Sequence, residues 1–253
     1  MGTKADMDMA SLLNLRAGAS AGGAGDGRVV EAELREDVAG AFVNPEAASI
    51  LPQVLIIGDS ISIGYTEPVR ENLKGSAEVF RPPVNCQHTG YGLSQIKTWL
   101  GTGKWDVIHF NFGIWDTHML DAKGNLLSGS MEGDSAPATD GIGIRHTPEQ
   151  YKDNLNAILD ILESSGASLI WASSTPIMHR KGRRFEDIPK LNRVAENVMK
   201  ARGVAVNDLY AFVLPHVGEW QDPDQCHFNA AGNEQLGKKV ADCIRRALGG
   251  KKR

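Results

Sequence analysis

Two short segments near opposite ends of the chain carry residue types that together perform acyl transfer. The first is Gly58-Asp59-Ser60-Ile61-Ser62, directly after the apolar run Val54-Leu55-Ile56-Ile57. A serine between a strand and a helix stands at a helix N-terminus. Free backbone N–H groups and the positive end of the helix dipole there favour a developing negative charge. Taken alone, the segment reads more simply as an N-cap. The second is Asp224-Gln225-Cys226-His227, just ahead of an amphipathic stretch that begins at 230. A serine hydroxyl needs a base to accept its proton, and that base needs a carboxylate to fix its tautomer. Three residues apart in a turn, Asp224 reaches the Nδ1 side of His227 and leaves Nε2 for Ser60. Asp222 is the rival carboxylate, less well placed at five residues. Taken alone, this segment is a surface loop with a capping aspartate. Ser62 stands where the Gly-x-Ser-x-Gly elbow requires glycine, which disfavours an ordinary α/β-hydrolase.

The elements that must position these residues follow a regular alternation from Gln53 onward. Apolar, β-branched runs predict strands at 53–57, 77–80, 106–112, 168–173 and 204–206. Between them, apolar residues at helical spacing predict helices over 61–73, 93–100, 148–164, 189–202 and 230–248. Thr147-Pro148-Glu149-Gln150 is a strong helix start, with an N-cap, a proline in the first turn and a capping-box glutamine. Strands alternating with helices imply right-handed crossovers and a parallel sheet covered on both faces, so the fold class is α/β. Reactive groups in such folds gather at the carboxyl ends of the strands, where both segments lie.

Composition narrows the function classes. The chain has 253 residues, a formal net charge of −4 and 23% charged residues. A mildly acidic chain lacks the footprint of a nucleic-acid binder. No apolar run approaches the roughly 20 residues of a membrane span. Residues 1–28, rich in Gly and Ala, read as a flexible N-terminal tail, and 29–253 as one catalytic domain. Within that domain 29–52 is ambiguous and is placed along its edge. No basic leader with an apolar core is visible at the start, which leaves the compartment unassigned. Three cysteines are too few for a disulfide scaffold. Cys86 and Cys226 both fall on expected site loops and invite a disulfide across the rim; two unrelated buried thiols is the favoured reading.

A Gly-Asp-Ser after the first strand and an Asp-x-x-His before the last helix resemble the SGNH, or GDSL, hydrolase family over about 200 residues, 53–248. The resemblance implies a flavodoxin-like three-layer α/β/α sandwich with a five-stranded parallel sheet ordered 2-1-3-4-5, and hydrolysis of esters. It gives Ser60 the role of nucleophile, His227 that of general base and Asp224 that of its orienting partner. The segments HFNFGIWD, SLIWASSTP and AVNDLYAFVLP look like a subgroup of bacterial secreted esterases, some acting on acetylated carbohydrates. The implied partner is a small-molecule or carbohydrate ester. No cofactor is called for, and nothing indicates an oligomeric state.

The oxyanion hole departs from the family pattern. The backbone N–H of Ser60 is one implied donor. Counting back from Gly92-Leu93 puts Cys86 at the position of a family glycine whose N–H is another; a slip in register would give that role to Gly90. The family's Gly-x-Asn-Asp reads Gly113-Ile114-Trp115-Asp116 here, so Trp115 replaces the asparagine donor. Asn111 is a substitute by strand alternation, although an asparagine tied to backbone is the plainer reading. Two further readings carry less weight. Asp116 and His118 with His109 match no familiar metal-ligand spacing, so no metal is expected, and a flavodoxin-like cofactor carrier is a minor alternative. The stretch 117–146 has no convincing periodicity and leaves the end of the third strand. It is expected to border the pocket, with Trp115 and Met119 as apolar walls. The alternative to an enzyme is an SGNH-fold carbohydrate-binding module with little or no turnover.

Overall fold

A computed structural model describes residues 36–46, 50–124, 143–177 and 186–250. The expected tail, 1–28, and the middle of the 117–146 stretch lie outside the described residues. Five strands form the central sheet: β1 Gln53–Ile57, β2 Glu78–Phe80, β3 Val107–Phe110, β6 Ser168–Ala172 and β7 Ala205–Asn207. All pair in parallel, in the order β2-β1-β3-β6-β7. Two further strands, β4 Met119–Leu120 and β5 Gly143–Ile144, form a separate antiparallel pair. Counting the central strands alone, the order is 2-1-3-4-5. The order reverses between β1 and β3, and the crevice beyond their carboxyl ends is where ligands bind in open α/β sheets.

Alternation along each strand divides the core into two layers. Val54 and Ile56 of β1, Val107 of β3, and Ile170 and Ala172 of β6 pack on one face, with Tyr65, Val69, Val240 and Ile244. Leu55 and Ile57, Ile108 and Phe110, and Trp171 pack on the other, with Ile96, Leu155, Ile158 and Leu191. The helices that supply these residues are α1 Ser60–Leu73 and α7 Ala230–Gly250 on the first face. On the second are α2 Thr89–Leu100, α3 Pro148–Glu163 and α4 Asp187–Arg202. Burial on both faces explains why the strands read as unbroken apolar runs. The capping box at Thr147 forms as its sequence indicates, with Gln150 N–H donating to Thr147 Oγ1 at 3.2 Å and Thr147 N–H to Gln150 Oε1 at 2.9 Å.

Several boundaries differ from the sequence reading by one to four residues, and two short helices are additional. Helix α2 begins at Thr89, four residues before the expected start, because His88 caps it by accepting from Tyr91 N–H. Gly90 and Gly92 hide that first turn, since glycine is a poor helix former. The third strand stops at Phe110 rather than running to 112. Two short helices, α5 Leu209–Val213 and α6 Val217–Trp220, are too brief for a periodic signal.

The close crossing of α1 and α7 brings the two ends of the folded region together. A Cβ at Gly237 would overlap Pro68 and lie 3.1 Å from the Val69 nitrogen. Gly64 likewise faces the Asn233 side chain. Replacing Gly237 with alanine should therefore destabilise the fold by about 1–3 kcal/mol, despite alanine's better helix propensity, because backbone and not a movable side-chain tip is in the way. A fall in the urea midpoint at unchanged slope is the expected result.

Candidate active site

Ser60 is the first residue of α1 and follows β1 after two residues. Asp59 caps the helix: its Oδ1 accepts from Ile61 N–H at 3.0 Å, and its carbonyl accepts from Ser62 Oγ at 2.7 Å. The first N–H groups of a helix have no acceptor four residues back, so the Ser60 amide is a donor with no intrahelical partner.

The loop that meets it is built on a tight turn ahead of α7. Asp222 N–H donates to the His227 carbonyl and Gln225 N–H to the Asp222 carbonyl, each at 2.9 Å. Gln225 turns the chain with φ +57°, a left-handed conformation uncommon outside glycine. An isolated antiparallel bridge, Gln221 to Phe228, closes the turn. Asp224 Oδ1 accepts from the amides of Cys226 (3.0 Å) and His227 (2.9 Å), which fixes the carboxylate, while Oδ2 lies 2.5 Å from His227 Nδ1. His227 Nε2 is 2.8 Å from Ser60 Oγ. Ser60, His227 and Asp224 therefore form one hydrogen-bonded chain, and the Asp222 backbone helps close the turn that presents it.

Partial burial alone would raise the Asp224 pKa. The hydrogen bond and charge of His227, together with the amides of Cys226 and His227, outweigh it and hold the carboxyl well below the usual carboxylate range. Asp224 thus stays ionised and leaves His227 Nδ1 as a donor and Nε2 as an acceptor toward Ser60.

The remaining expected oxyanion donors are differently employed. Cys86 N–H donates to the Gly58 carbonyl at 3.2 Å, a tie between the loops after β2 and β1, so it does not stand free as a hole donor. Asn111 is also committed: its Nδ2 donates to the Ala172 carbonyl at 2.7 Å and to Ser174 Oγ at 3.3 Å, holding β3 to the end of β6. Gly90 lies in the first turn of α2, beside His146 and His88. Trp115 and Met119, expected as pocket walls, are 2% and 3% exposed; Trp115 belongs to the core and packs edge-on against His118. Of the implied donors, the Ser60 amide stands beside the Ser60 hydroxyl itself.

Asp116 anchors the loop after β3. It is fully buried and accepts from Thr89 N–H and Thr89 Oγ1 at the start of α2, and its Oδ1 lies 2.6 Å from His146 Nδ1. His109, weighed above with Asp116 and His118 for a metal, is buried beside Tyr65, and its Nε2 lies 3.2 Å from Asn207 Nδ2. Burial pushes its pKa down to about 3. No three His, Cys, Asp or Glu side chains group to hold a metal among the described residues. Cys86, Cys226 and Cys243 are all free thiols. The sequence reading passed over His146 and Arg81. Their signals are weak: an isolated histidine before a helix cap, and a cation ending an apolar strand.

No protein-family model and no curated protein matches the sequence. Solved structures do match. The lipase/acylhydrolase from Enterococcus faecalis aligns with a TM-score of 0.60 at 20% identity, over 78% of this chain and 96% of that one. An acetyl xylan esterase, AlAXEase, aligns with a TM-score of 0.57 at 16% identity, over 76% and 99%. A GDSL-like lipase from Bacteroides thetaiotaomicron aligns with a TM-score of 0.57 at 16% identity, over 78% and 89%. The chain has the fold of the SGNH/GDSL hydrolases.

The lowered Asp224 pKa has a stability consequence. A depressed carboxyl stabilises the fold fully above its unfolded pKa, and that contribution is lost as pH falls through the folded value. The stability difference between wild type and Asp224→Asn should hold steady from neutral pH to about 5 and shrink as pH falls below the usual carboxylate range. Urea titrations of both proteins across that interval provide the measurement.

Proposed function

We propose that this chain is an SGNH/GDSL serine esterase that hydrolyses short-acyl carboxylic esters through an acyl-enzyme on Ser60. The observation that carries this reading is the unbroken chain of hydrogen bonds from Ser60 Oγ through His227 to Asp224. His227 Nε2 takes the hydroxyl proton as Ser60 Oγ bonds to the ester carbonyl carbon. The carbonyl electrons move to oxygen, and the Ser60 amide at the head of α1 donates to that oxyanion. Collapse of the intermediate breaks the bond to the leaving alcohol, which receives the proton from His227. Water then attacks the acyl-serine by the same relay and releases the acid. Asp224 holds the imidazole in the required tautomer and offsets its charge when protonated.

Acetyl esters of carbohydrates are the proposed substrate class. The likeness in fold to a protein named as an acetyl xylan esterase supports it. So do the segments HFNFGIWD and SLIWASSTP, which resemble the carbohydrate-esterase subgroup.

A second reading, a carbohydrate-binding module with the same scaffold and little turnover, draws on one observation. The Cys86 amide and the Asn111 side chain are both engaged in structural hydrogen bonds, which thins the oxyanion hole. Loss of one hole donor costs about 10²–10³ in turnover. Labelling by a fluorophosphonate separates the two, since only an activated serine reacts fast.

Ser60→Ala should lower hydrolysis of p-nitrophenyl acetate by about 10³-fold or more. Wild-type rates in that variant would refute the esterase reading. Asp224→Ala should cost about 10³–10⁴ in kcat. Asp222→Ala, whose backbone role survives substitution, should stay within about threefold of wild type. Steady-state kinetics on the three variants test both assignments.

A further inference from the structure

One buried cation lies directly beneath the loop that carries Ser60. Arg81 follows β2 and is 1% exposed. Its guanidinium donates to five oxygens, all neutral. Nη1 reaches Ser62 Oγ (3.3 Å) and Thr66 Oγ1 (3.0 Å), Nη2 reaches the carbonyls of Gly58 and Val84 (each 3.4 Å), and Nε reaches the Pro82 carbonyl (3.3 Å). Burial pushes its pKa down to about 10, so it remains a cation at neutral pH. The nearby buried Asp59 carboxylate attracts the charge without accepting one of these hydrogen bonds, and a dehydrated charge bonded to neutral oxygens is expensive to keep in an interior. Aliphatic packing would serve plain stability at lower cost.

The placement of the five bonds indicates what the charge does. Gly58 and Ser62 flank Asp59-Ser60 on either side, and Arg81 binds both of them. Ser62 Oγ in turn donates a hydrogen bond to the Asp59 carbonyl at 2.7 Å, so the guanidinium, Ser62 and Asp59 form a connected brace around the nucleophile. The Gly58 carbonyl is gripped a second time by the Cys86 amide.

A segment outside the βα repeat holds the arginine in place. The 3-10 helix Glu36–Phe42 packs against α1, and the residues after it reach Arg81 just beyond β2. Asn44 clamps the Arg81 backbone from both sides: Oδ1 accepts from Arg81 N–H and Nδ2 donates to the Arg81 carbonyl, each at 2.9 Å. The Phe42 ring lies 5.2 Å from the guanidinium carbon, within cation–π range. Arg70 fastens the strap in turn, donating to the Gly40 carbonyl at 3.0 Å and to Asn44 Oδ1 at 3.1 Å.

We infer that Arg81 is a positioning residue for Ser60, and that residues 36–46 are a strap whose task is to seat its guanidinium under the nucleophile loop. The inference rests on the reading of Ser60 as nucleophile. Arg81 touches no reacting atom; it acts by fixing Gly58 and Ser62, and through them the direction of Ser60 Oγ toward His227. Displacing a reacting group by about 1 Å can cost on the order of 10²-fold in rate.

The test measures two quantities separately on the full chain: the fluorophosphonate labelling rate per competent site, and the final labelling stoichiometry. Arg81→Met should label at least about tenfold more slowly while reaching full stoichiometry, with kcat falling and KM little changed. Arg81→Lys, which keeps the charge but loses the forked geometry, should fall between the two. Phe42→Ala and Asn44→Ala should slow labelling by a smaller factor, and Asn44→Ala should add nothing further when combined with Arg81→Met.

A labelling rate per site within twofold of wild type in Arg81→Met overturns the inference. So does a loss that appears wholly as reduced stoichiometry and a lower melting temperature, which is what a structural role alone would give. If Arg81→Met does not fold, Phe42→Ala and Asn44→Ala decide by the same two readouts. Failure here is distinct from failure of the esterase reading: in the latter, wild type itself would neither label at Ser60 nor hydrolyse the ester.

Discussion

A single 2.8 Å contact between Ser60 Oγ and His227 Nε2 joins residues 167 positions apart, and most of the fold's particular features bear on it. Each partner is tied into its own segment by hydrogen bonds. Ser60 is held by the helix it begins and by the Asp59 cap. His227 is held by a turn whose backbone hydrogen bonds close on Asp222 and whose carboxylate is pinned by two amides. What remains is to bring the two segments to one place. The packing of α1 against α7 does that, and it depends on the absence of a side chain at Gly237 and Gly64.

The sheet supplies the second constraint. Because its strand order reverses between β1 and β3, the chain diverges there to opposite faces and leaves a crevice at the carboxyl ends. The loops after β1, β2 and β3 all rim that crevice, and each is tied down by polar groups taken out of water. Gly58 is bound by Cys86 and Arg81, and Asp116 by Thr89 and His146. Buried polar groups cost free energy unless their hydrogen bonds are made, so such ties favour one loop geometry over near alternatives. Gln87 and Gln225, the non-glycine residues with left-handed backbone among those described, sit on two of the loops around this crevice. Local strain at such positions persists only where the surroundings over-determine the conformation.

The expected oxyanion donors show how a motif can be matched while its groups meet other partners. Alignment by spacing put the Cys86 amide in the hole, while strand alternation offered the Asn111 side chain as a substitute beside the plainer reading of an asparagine tied to backbone, which is what the structure has. Both are polar, both lie on the right edge of the sheet, and both are spent on neighbouring backbone. Spacing reports where a residue falls along the chain. It does not report which acceptor its N–H meets first, because that depends on the neighbouring loop.

The alternation of five apolar runs with amphipathic helices determined the α/β class, and the Gly-Asp-Ser and Asp-x-x-His segments marked Ser60, His227 and Asp224. These signals are local: a strand's apolar pattern, a helix cap and a three-residue turn are written within a few positions of one another. The engagement of the Cys86 amide, the pairing of Asp116 with His146 and the seating of Arg81 by Asn44 were decided only in three dimensions. Each depends on two segments distant in sequence arriving within hydrogen-bond range, and a hydrogen bond is fixed by distances of a few tenths of an ångström that no periodicity encodes.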